Sequence, residues 1–505
     1  MHALRRLAFA LAFLTPPVAA IVVWHSILDN YFYADDFLHL YDLATRSLPS
    51  LLGQVTTGHP LTVFNLVSLA TIRVFGPEPR PFFWLALGNH VLNTTLLFIV
   101  IRAFTSDAAL ACLGAVVWGT SAILEGALGW YSVHGQVLLT TIVLAVIWNV
   151  HHWSRTTEHV PQRTALLWLV LLAAGSTAFG MGLGLIAVFP AFAVVLLGRE
   201  PLRGGTGGLL VLGVIGTLAA YGLWLSCSRD MEEPVRELLR DTTTSHALVA
   251  VVVLFAHLFA FGTGALLLGG LGVSPTDMSG RLAGTAILLL IAALAFAGAS
   301  PRGRRHLLAL TLVVAATWGT VAAGRATLLA ALGVSAATAA GSTRYHYLPV
   351  ALLGLTLCTA LGNIASRGPR AARVVRVAAV AWTVALLGVR ARAPLPIDHW
   401  PAQRVQVEAM LRSIREQIAR TPPGQVTTIV NQPFDLRVYL PTSLPGWAAM
   451  FVVFFPENTV AGRPVRFLVS AADWSSLQAR GGRAAELAMR REEKSAIGGR
   501  TSPER

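Results

Sequence analysis

Charge is what this sequence has least of. Only 13% of its 505 residues are charged, about half the share of a soluble globular chain. That shortfall excludes an ordinary water-soluble fold for most of the length. Cysteine is scarce as well: Cys112, Cys227 and Cys358 stand far apart, in or beside apolar segments. They offer no metal-ligand spacing and no disulfide framework, and read as small buried side chains. Lysine is reduced to Lys494, so the basic residues are arginines almost throughout. A net charge of +14 would suit nucleic acid if it formed one patch. Instead the arginines sit in short loops between apolar runs, the distribution that orients membrane proteins.

What is abundant is apolar sequence, 54% of residues with a mean hydropathy of +0.62. The first twenty residues, with Arg5, Arg6 and a small-residue end at Ala20, have the outline of a cleaved signal peptide. The apolar run continues through Ile21, Val22, Val23 and Trp24 to Leu28, however, which predicts an uncleaved first helix, Leu7–Leu28. Further spans are predicted at Phe82–Ala103, Ala108–Leu124, Gln136–Trp153, Ala165–Ala178, Gly182–Leu197, Gly207–Leu225, Leu282–Ala299, Leu307–Ala323, Tyr345–Gly362 and Val374–Val389. That makes about 11 crossings of about 20 residues each.

One apolar stretch, His246–Gly272, does not fit this alternation. With Arg5 and Arg6 on the cytoplasmic side, the basic loops Pro301–His306 and Ser366–Arg376 also fall there only if this stretch makes no single crossing. Its glycines, Gly262, Gly264, Gly269, Gly270 and Gly272, suggest a re-entrant or interfacial hairpin. The expected fold is thus an all-α polytopic membrane protein over residues 1–390, with a C-terminal extracytoplasmic α/β domain over 391–480. The charged segment 481–505 reads as disordered. In the tail, Ala402–Arg420 has helical periodicity, while Val426–Val430, Ala448–Phe455 and Val465–Val469 read as strands. The first outer loop, 29–81, carries short amphipathic pieces around Phe37–Leu52 and Leu61–Phe75.

The sharpest chemical feature is Tyr33-Ala34-Asp35-Asp36-Phe37-Leu38-His39, just beyond the first helix. Adjacent carboxylates beside lipid raise each other's pKa, which suits a general base or an oxygen site for a divalent cation. A solvated loop with incidental acids is the bland alternative. Arg80, Arg325 and Arg344 lie near predicted helix ends, where a guanidinium can grip a phosphate or simply snorkel to ordinary headgroups. His59, before Pro60, could orient substrate, join Asp35 and Asp36 on a metal, or cap a loop. Glu125 and His134, near Trp130 and Tyr131, either line an acceptor cavity or belong to an aromatic belt. His90 and Asn93 share a helix face and suit a bridge between helices. The string Gly180-Met181-Gly182-Leu183-Gly184 follows no strand and reads as close helix packing, not nucleotide binding. Arg229 to Asp241 is a mixed-charge outer loop that either stays solvated or roofs the site.

An acidic pair directly after the first helix resembles the signature of the C-type membrane glycosyltransferases. Within them the chain is similar to the protein O-mannosyltransferase and lipid A aminoarabinose transferase group and its bacterial relatives. Gly58-His59-Pro60-Leu61, Gly88-Asn89-His90-Val91-Leu92-Asn93, Glu125-Gly126-Ala127-Leu128-Gly129-Trp130 and Ser342-Thr343-Arg344-Tyr345-His346-Tyr347 agree with that layout. The resemblance covers Met1–Arg392 through short motifs only.

It implies transfer of a sugar from a polyprenyl-phosphate lipid to an extracytoplasmic glycan, protein or lipid acceptor, with inversion, in a bacterial cytoplasmic membrane. It further implies Asp35 as base and Asp36 as its electrostatic or metal-binding partner. His59, Arg80, Glu125, His134, Arg325, Arg344 and Tyr345 become the substrate-side candidates. A divalent cation, magnesium or manganese, on Asp35, Asp36 and His59 is the one cofactor to consider. Two rivals remain: a polysaccharide or lipid transporter or flippase, and a degenerate membrane anchor that presents the tail for binding.

Overall fold

The structure is a computed structural model that describes residues 2–32, 35–56, 59–156, 158–227, 244–331, 333–392, 399–422, 427–430 and 465–468. It is a bundle of apolar helices. In chain order these are α1 (His2–Trp24), then α2 (Asp35–Thr45), α3 (Leu48–Leu52) and α4 (Thr62–Phe75) in the first loop. The bundle continues with α5 (Pro79–Thr105), α6 (Ala108–Gly119), α7 (Glu125–Leu128), α8 (Gly135–Trp153), α9 (Gln162–Ser176), α10 (Gly182–Leu197) and α11 (Thr206–Cys227). After residues outside the description come α12 (Thr244–Leu268), α13 (Met278–Gly298), α14 (Pro301–Ala331), α15 (Ala336–Ala340), α16 (Tyr347–Ala365), α17 (Pro369–Arg392) and α18 (His399–Arg420).

Among the described residues, nine helices are long and apolar enough to cross a membrane, or ten if the bent pair Ala108–Gly119 and Ala122–Leu128 forms one span. The chain is therefore a multi-pass membrane protein. The set differs from the expected eleven in three ways. The span expected at Ala108–Leu124 is broken into that bent pair. The stretches Ala165–Ala178 and Gly182–Leu197 become helices of 15 and 16 residues, short of the ~20 a full crossing takes. And His246–Gly272 is no hairpin: α12 runs unbroken for 25 residues. Within the helix its glycines serve contact, while Gly272 turns the chain beyond it in a left-handed conformation. Gly262 lies against Trp318 and His346, and Gly264 meets Gly284 and the backbone at Gly280, the close approach that small residues permit between membrane helices.

Long-range contacts define two ends of the bundle. At the first end Asn30 donates to Gly129 O, Ser68 meets the Tyr131 hydroxyl at 3.2 Å, and Trp224 on α11 donates to Gly53 O in the first loop. At the second end Arg376 pairs with Asp107 at 2.5 Å, Arg302 donates to Ser154 O, and Asn363 donates to Gly303 O. Asp107 also caps α6, accepting from the N–H groups of Ala109 and Leu110. Helix α11 ends at the first end and α13 starts there, with Arg281 stacked on Phe261 beside His346. Helix α12 is itself one of the nine long and apolar enough to cross a membrane.

In the tail, α18 buries Val407 and Leu411, one turn apart, and touches the turn His25–Asp29 beyond α1. After the short strands β1 (Val55–Thr56) and β2 (His59–Pro60) of the first loop, the tail adds β3 (Thr427–Val430), paired parallel with β4 (Val465–Leu468). The expected strand Ala448–Phe455, the segment 481–505 and the loop Arg229–Asp241 lie outside the described residues.

Candidate functional site

The first loop folds down on the bundle. A two-residue antiparallel ladder, Val55–Thr56 with His59–Pro60, brings α4 back under α2 and α3. Asn65 on α4 ties them together by donating to Leu51 O at 2.7 Å. Phe32, Phe37, Phe64 and Phe82 are fully buried, and edge-on contacts link Phe32 to Phe37 and Phe82. This aromatic floor holds the start of α2.

The acidic pair opens that helix. The Asp35 side chain lies outside the described residues. Asp36 is 1% exposed, and its Oδ1 accepts the Ser132 N–H at 2.6 Å and the Ser132 hydroxyl at 2.5 Å. These are charge-assisted bonds, and they fix the carboxylate against the segment between α7 and α8. Beside it Tyr131 packs edge-on to Phe82 at 4.8 Å and stacks on His134 at 5.1 Å.

The same segment reaches Arg344. Its guanidinium lies 5.2 Å from the Trp130 ring and 5.0 Å from the Tyr345 ring, a cation–π geometry, and donates to the Tyr345 hydroxyl at 3.1 Å. Gln136 donates to Arg344 O. A Cβ on Gly126 would come within 2.6 Å of Arg344 N, so Glu125-Gly126 can lie against Thr343–Tyr345 because position 126 has no side chain. Residues 125–136 thus touch both Asp36 and Arg344. Three buried polar atoms here have no protein partner: Arg344 Nε, Gln136 Oε1 and His134 Nδ1. His134 is fully buried, and its Nε2 lies 3.2 Å from Asn89 Nδ2.

The other candidates divide. His59 stacks on Phe179 at 6.2 Å, faces Gly180, and has a buried Nδ1 without a partner. Its pKa is lowered to about 4, first by burial and then by the Arg325 guanidinium, which puts Arg325 in its neighbourhood. Glu125 starts α7, partly buried. Arg80 is exposed in the first turn of α5, and among the described residues no hydrogen bond or ion pair joins it to Asp36. Among the described residues no three His, Cys, Asp or Glu side chains gather as a metal set.

His90 and Asn93 take the expected bridging role. His90 donates from Nε2 to Gly119 O at 2.9 Å and accepts the Tyr347 hydroxyl on Nδ1 at 2.8 Å. Asn93 donates to Val137 O and accepts from Thr141. The Gly180–Gly184 string serves close packing too, Gly184 lying against Ala316 and Thr320 of α14. Sequence reasoning missed Ser132, Gln136 and Asn89. Ser132 partners Asp36 across 96 residues, and a lone serine in a turn carries no signal of that. Tyr31 reports the tail's position: burial raises its pKa, with further upward pressure from the carboxylates of Glu78 and of Glu408 on α18.

Compared with known proteins, the chain matches no protein-family model, no curated protein and no solved structure.

Proposed function

We propose that this membrane protein is a glycosyltransferase that moves a sugar from a polyprenyl-phosphate donor to an acceptor outside the cytoplasm. The observation that carries this reading is the segment 125–136, which contacts a buried carboxylate, Asp36, on one side and a half-buried guanidinium, Arg344, on the other. Group transfer from a lipid phosphate needs these two chemistries close together: a carboxylate for the acceptor hydroxyl and a cation for the departing phosphate.

In the proposed reaction Asp35 takes the proton of the acceptor hydroxyl. The acceptor oxygen bonds to the anomeric carbon as the carbon–oxygen bond to phosphate breaks, with inversion. The electron pair leaves on polyprenyl phosphate, whose charge the Arg344 guanidinium offsets. Asp36, anchored by Ser132, holds the start of α2 and adds negative charge beside the base. His134, Gln136 and Tyr345 line the substrate side, with His59 and Arg325 further round the rim. A magnesium or manganese ion on Asp35 and Asp36 remains part of the proposal, with His59 as its third ligand.

The reading also assigns orientation. The arginine-rich second end faces the cytoplasm, so the acidic pair lies on the far side, in a bacterial cytoplasmic membrane. The tail, of which α18 and the β3–β4 pair are described, completes an α/β domain on that same side. The test is release of free polyprenyl phosphate from a labelled lipid-linked sugar by the purified protein in detergent. Wild type should release it and Asp35→Asn should not. Equal release by both ends the proposal, and no release by either favours a transporter or an anchor.

A further inference from the structure

The second end of the bundle holds a cluster that the transfer reaction does not use. His151, near the end of α8, and His306, in the second turn of α14, are 2% and 6% exposed. Their rings meet edge-on at 5.2 Å. Phe104 of α5 closes the floor, stacked on His151 at 4.1 Å and edge-on to His306 at 5.1 Å. His151 donates from Nε2 to Ala103 O at 2.9 Å, which leaves its Nδ1 as a bare acceptor. That nitrogen and His306 Nε2 are both buried without a hydrogen-bond partner. A buried polar atom left unsatisfied is destabilising, so two neighbouring ones ask for an occupant.

The charge around them says which kind. Arg155, Arg302 and Arg305 lie close enough to act electrostatically on the histidines, and all three are exposed above them. Two acids of this end are engaged, Asp107 by Arg376 and Glu200 by Arg203, and Glu158 is exposed in the loop after α8. No ion pair joins Arg155, Arg302 or Arg305 to a carboxylate among the described residues. Three guanidinium groups outweigh that one exposed acid and disfavour a metal cation. The helix-end carbonyls that could repel an anion are already occupied, Ala103 O by His151 and Ser154 O by Arg302. The N-terminus of α14, which favours negative charge, opens on the same spot.

We propose that Phe104, His151, His306, Arg155, Arg302 and Arg305 form a binding site for a phosphate-bearing anion with a hydroxyl group, at the end of the bundle opposite the acidic pair. The hydroxyl donates to His151 Nδ1, the phosphate oxygens accept from His306 and the guanidinium groups, and the chemistry fits a hydroxylated anionic phospholipid headgroup or free hydrogen phosphate. The site is independent of the transfer reading and stands or falls without it.

The experiment is thermal unfolding of the purified full chain in neutral detergent, followed by tryptophan fluorescence, with phosphatidylglycerol, phosphatidylcholine or inorganic phosphate added. The expected result is a rise in Tm of several degrees with phosphatidylglycerol and none with phosphatidylcholine. The rise should disappear in His306→Gln and in the exposed Arg302→Gln, which removes charge without opening the core. A rise with inorganic phosphate alone, lost in the same variants, supports the site with a free anion as its ligand. No rise with either, or a rise that both variants keep, overturns the proposal and leaves a bridging water as the occupant.

Discussion

Two aspartates, one at each end of the bundle, are buried to nearly the same degree and held in different ways. Asp107 closes the N-terminus of α6 and pairs with Arg376 on α17, so its charge is spent on joining two helices. Asp36 starts a short helix of the first loop and takes both its described bonds from one serine. It lies next to a second acid in sequence and shares a contact segment with a half-buried arginine. Both carboxylates are fixed, but Asp107 is neutralised by a guanidinium, whereas Asp36 is held by a segment whose own side chains, Gln136 and His134, keep buried atoms without a partner. Burial alone therefore does not separate the two acids; their partners do.

The strongest way to break that comparison is to neutralise each aspartate. Asp36→Asn removes the charge beside the base and weakens the charge-assisted bonds from Ser132, and should lower sugar transfer by about 10²-fold, the equivalent of about 3 kcal/mol. Asp107→Asn should leave transfer within a factor of two and cost at most about 1 kcal/mol of stability through the lost ion pair with the exposed Arg376, since asparagine caps a helix about as well as aspartate. Initial rates on a labelled lipid donor, beside thermal unfolding of both variants, decide it. Equal losses of transfer would mean that Asp36 is structural too.

A smaller effect sharpens the same contrast among the arginines. Arg344→Gln removes a guanidinium from the contact segment and should cost roughly 10- to 100-fold in transfer, the equivalent of about 1.5–3 kcal/mol for a charge-assisted bond. Arg344→Lys should recover only part, because an ammonium cannot reproduce the planar fork. Arg80→Gln, at an exposed helix start, should change nothing beyond twofold. A loss at Arg80 as large as that at Arg344 would contradict the geometry.

How much of this could be read beforehand follows from the range of each interaction. Apolar runs and their flanking arginines are local, so most helices and the acidic pair's position beyond the first one were legible. The hairpin expected at His246–Gly272 failed because glycine is ambiguous in an apolar run: it can turn the chain or let another helix come close. Gly262 and Gly264 do the second, and only Trp318 and Gly284, distant in sequence, decide between them. Ser132 was invisible for the same reason. Arg80 has only proximity to a helix end behind it, a feature shared by many arginines that touch solvent or headgroups.

Close packing at the first end gives a stability test that leaves the chemistry out. A Cβ on Gly135 would collide with the Ala178 carbonyl oxygen, whereas a Cβ on Gly88 meets nothing within 4 Å. Backbone cannot swing aside as a side chain can. Gly135→Ala should therefore cost about 1–3 kcal/mol as overpacking, seen as a lower Tm in detergent. Gly88→Ala, inside α5, should leave Tm unchanged or slightly raised, since alanine favours helix. Equal Tm values for the two variants would show that α8 does not start against the α9–α10 turn as described.

The gentlest perturbation is pH, and it acts on the loop that covers the first end. Burial holds His39, stacked on Phe64 at 4.5 Å, down to about 3; burial and then Arg325 hold His59 down to about 4. Both are neutral in the folded protein near neutrality, while the unfolded chain takes up protons near the ordinary histidine value of about 6.5. Between about 6.5 and 4 the unfolded state binds more protons, so stability falls as pH falls through that window and is fully present above it. Tm should be flat above pH 7 and decline below about 6.5, and His59→Gln should make the decline shallower. A Tm that fell instead as pH rose through 7 would require a histidine that is charged in the fold, which neither of these burials allows. A slope that His59→Gln leaves untouched would mean that the ring facing Gly180 is open to water, and with it the docking of the first loop on the α9–α10 turn would be lost.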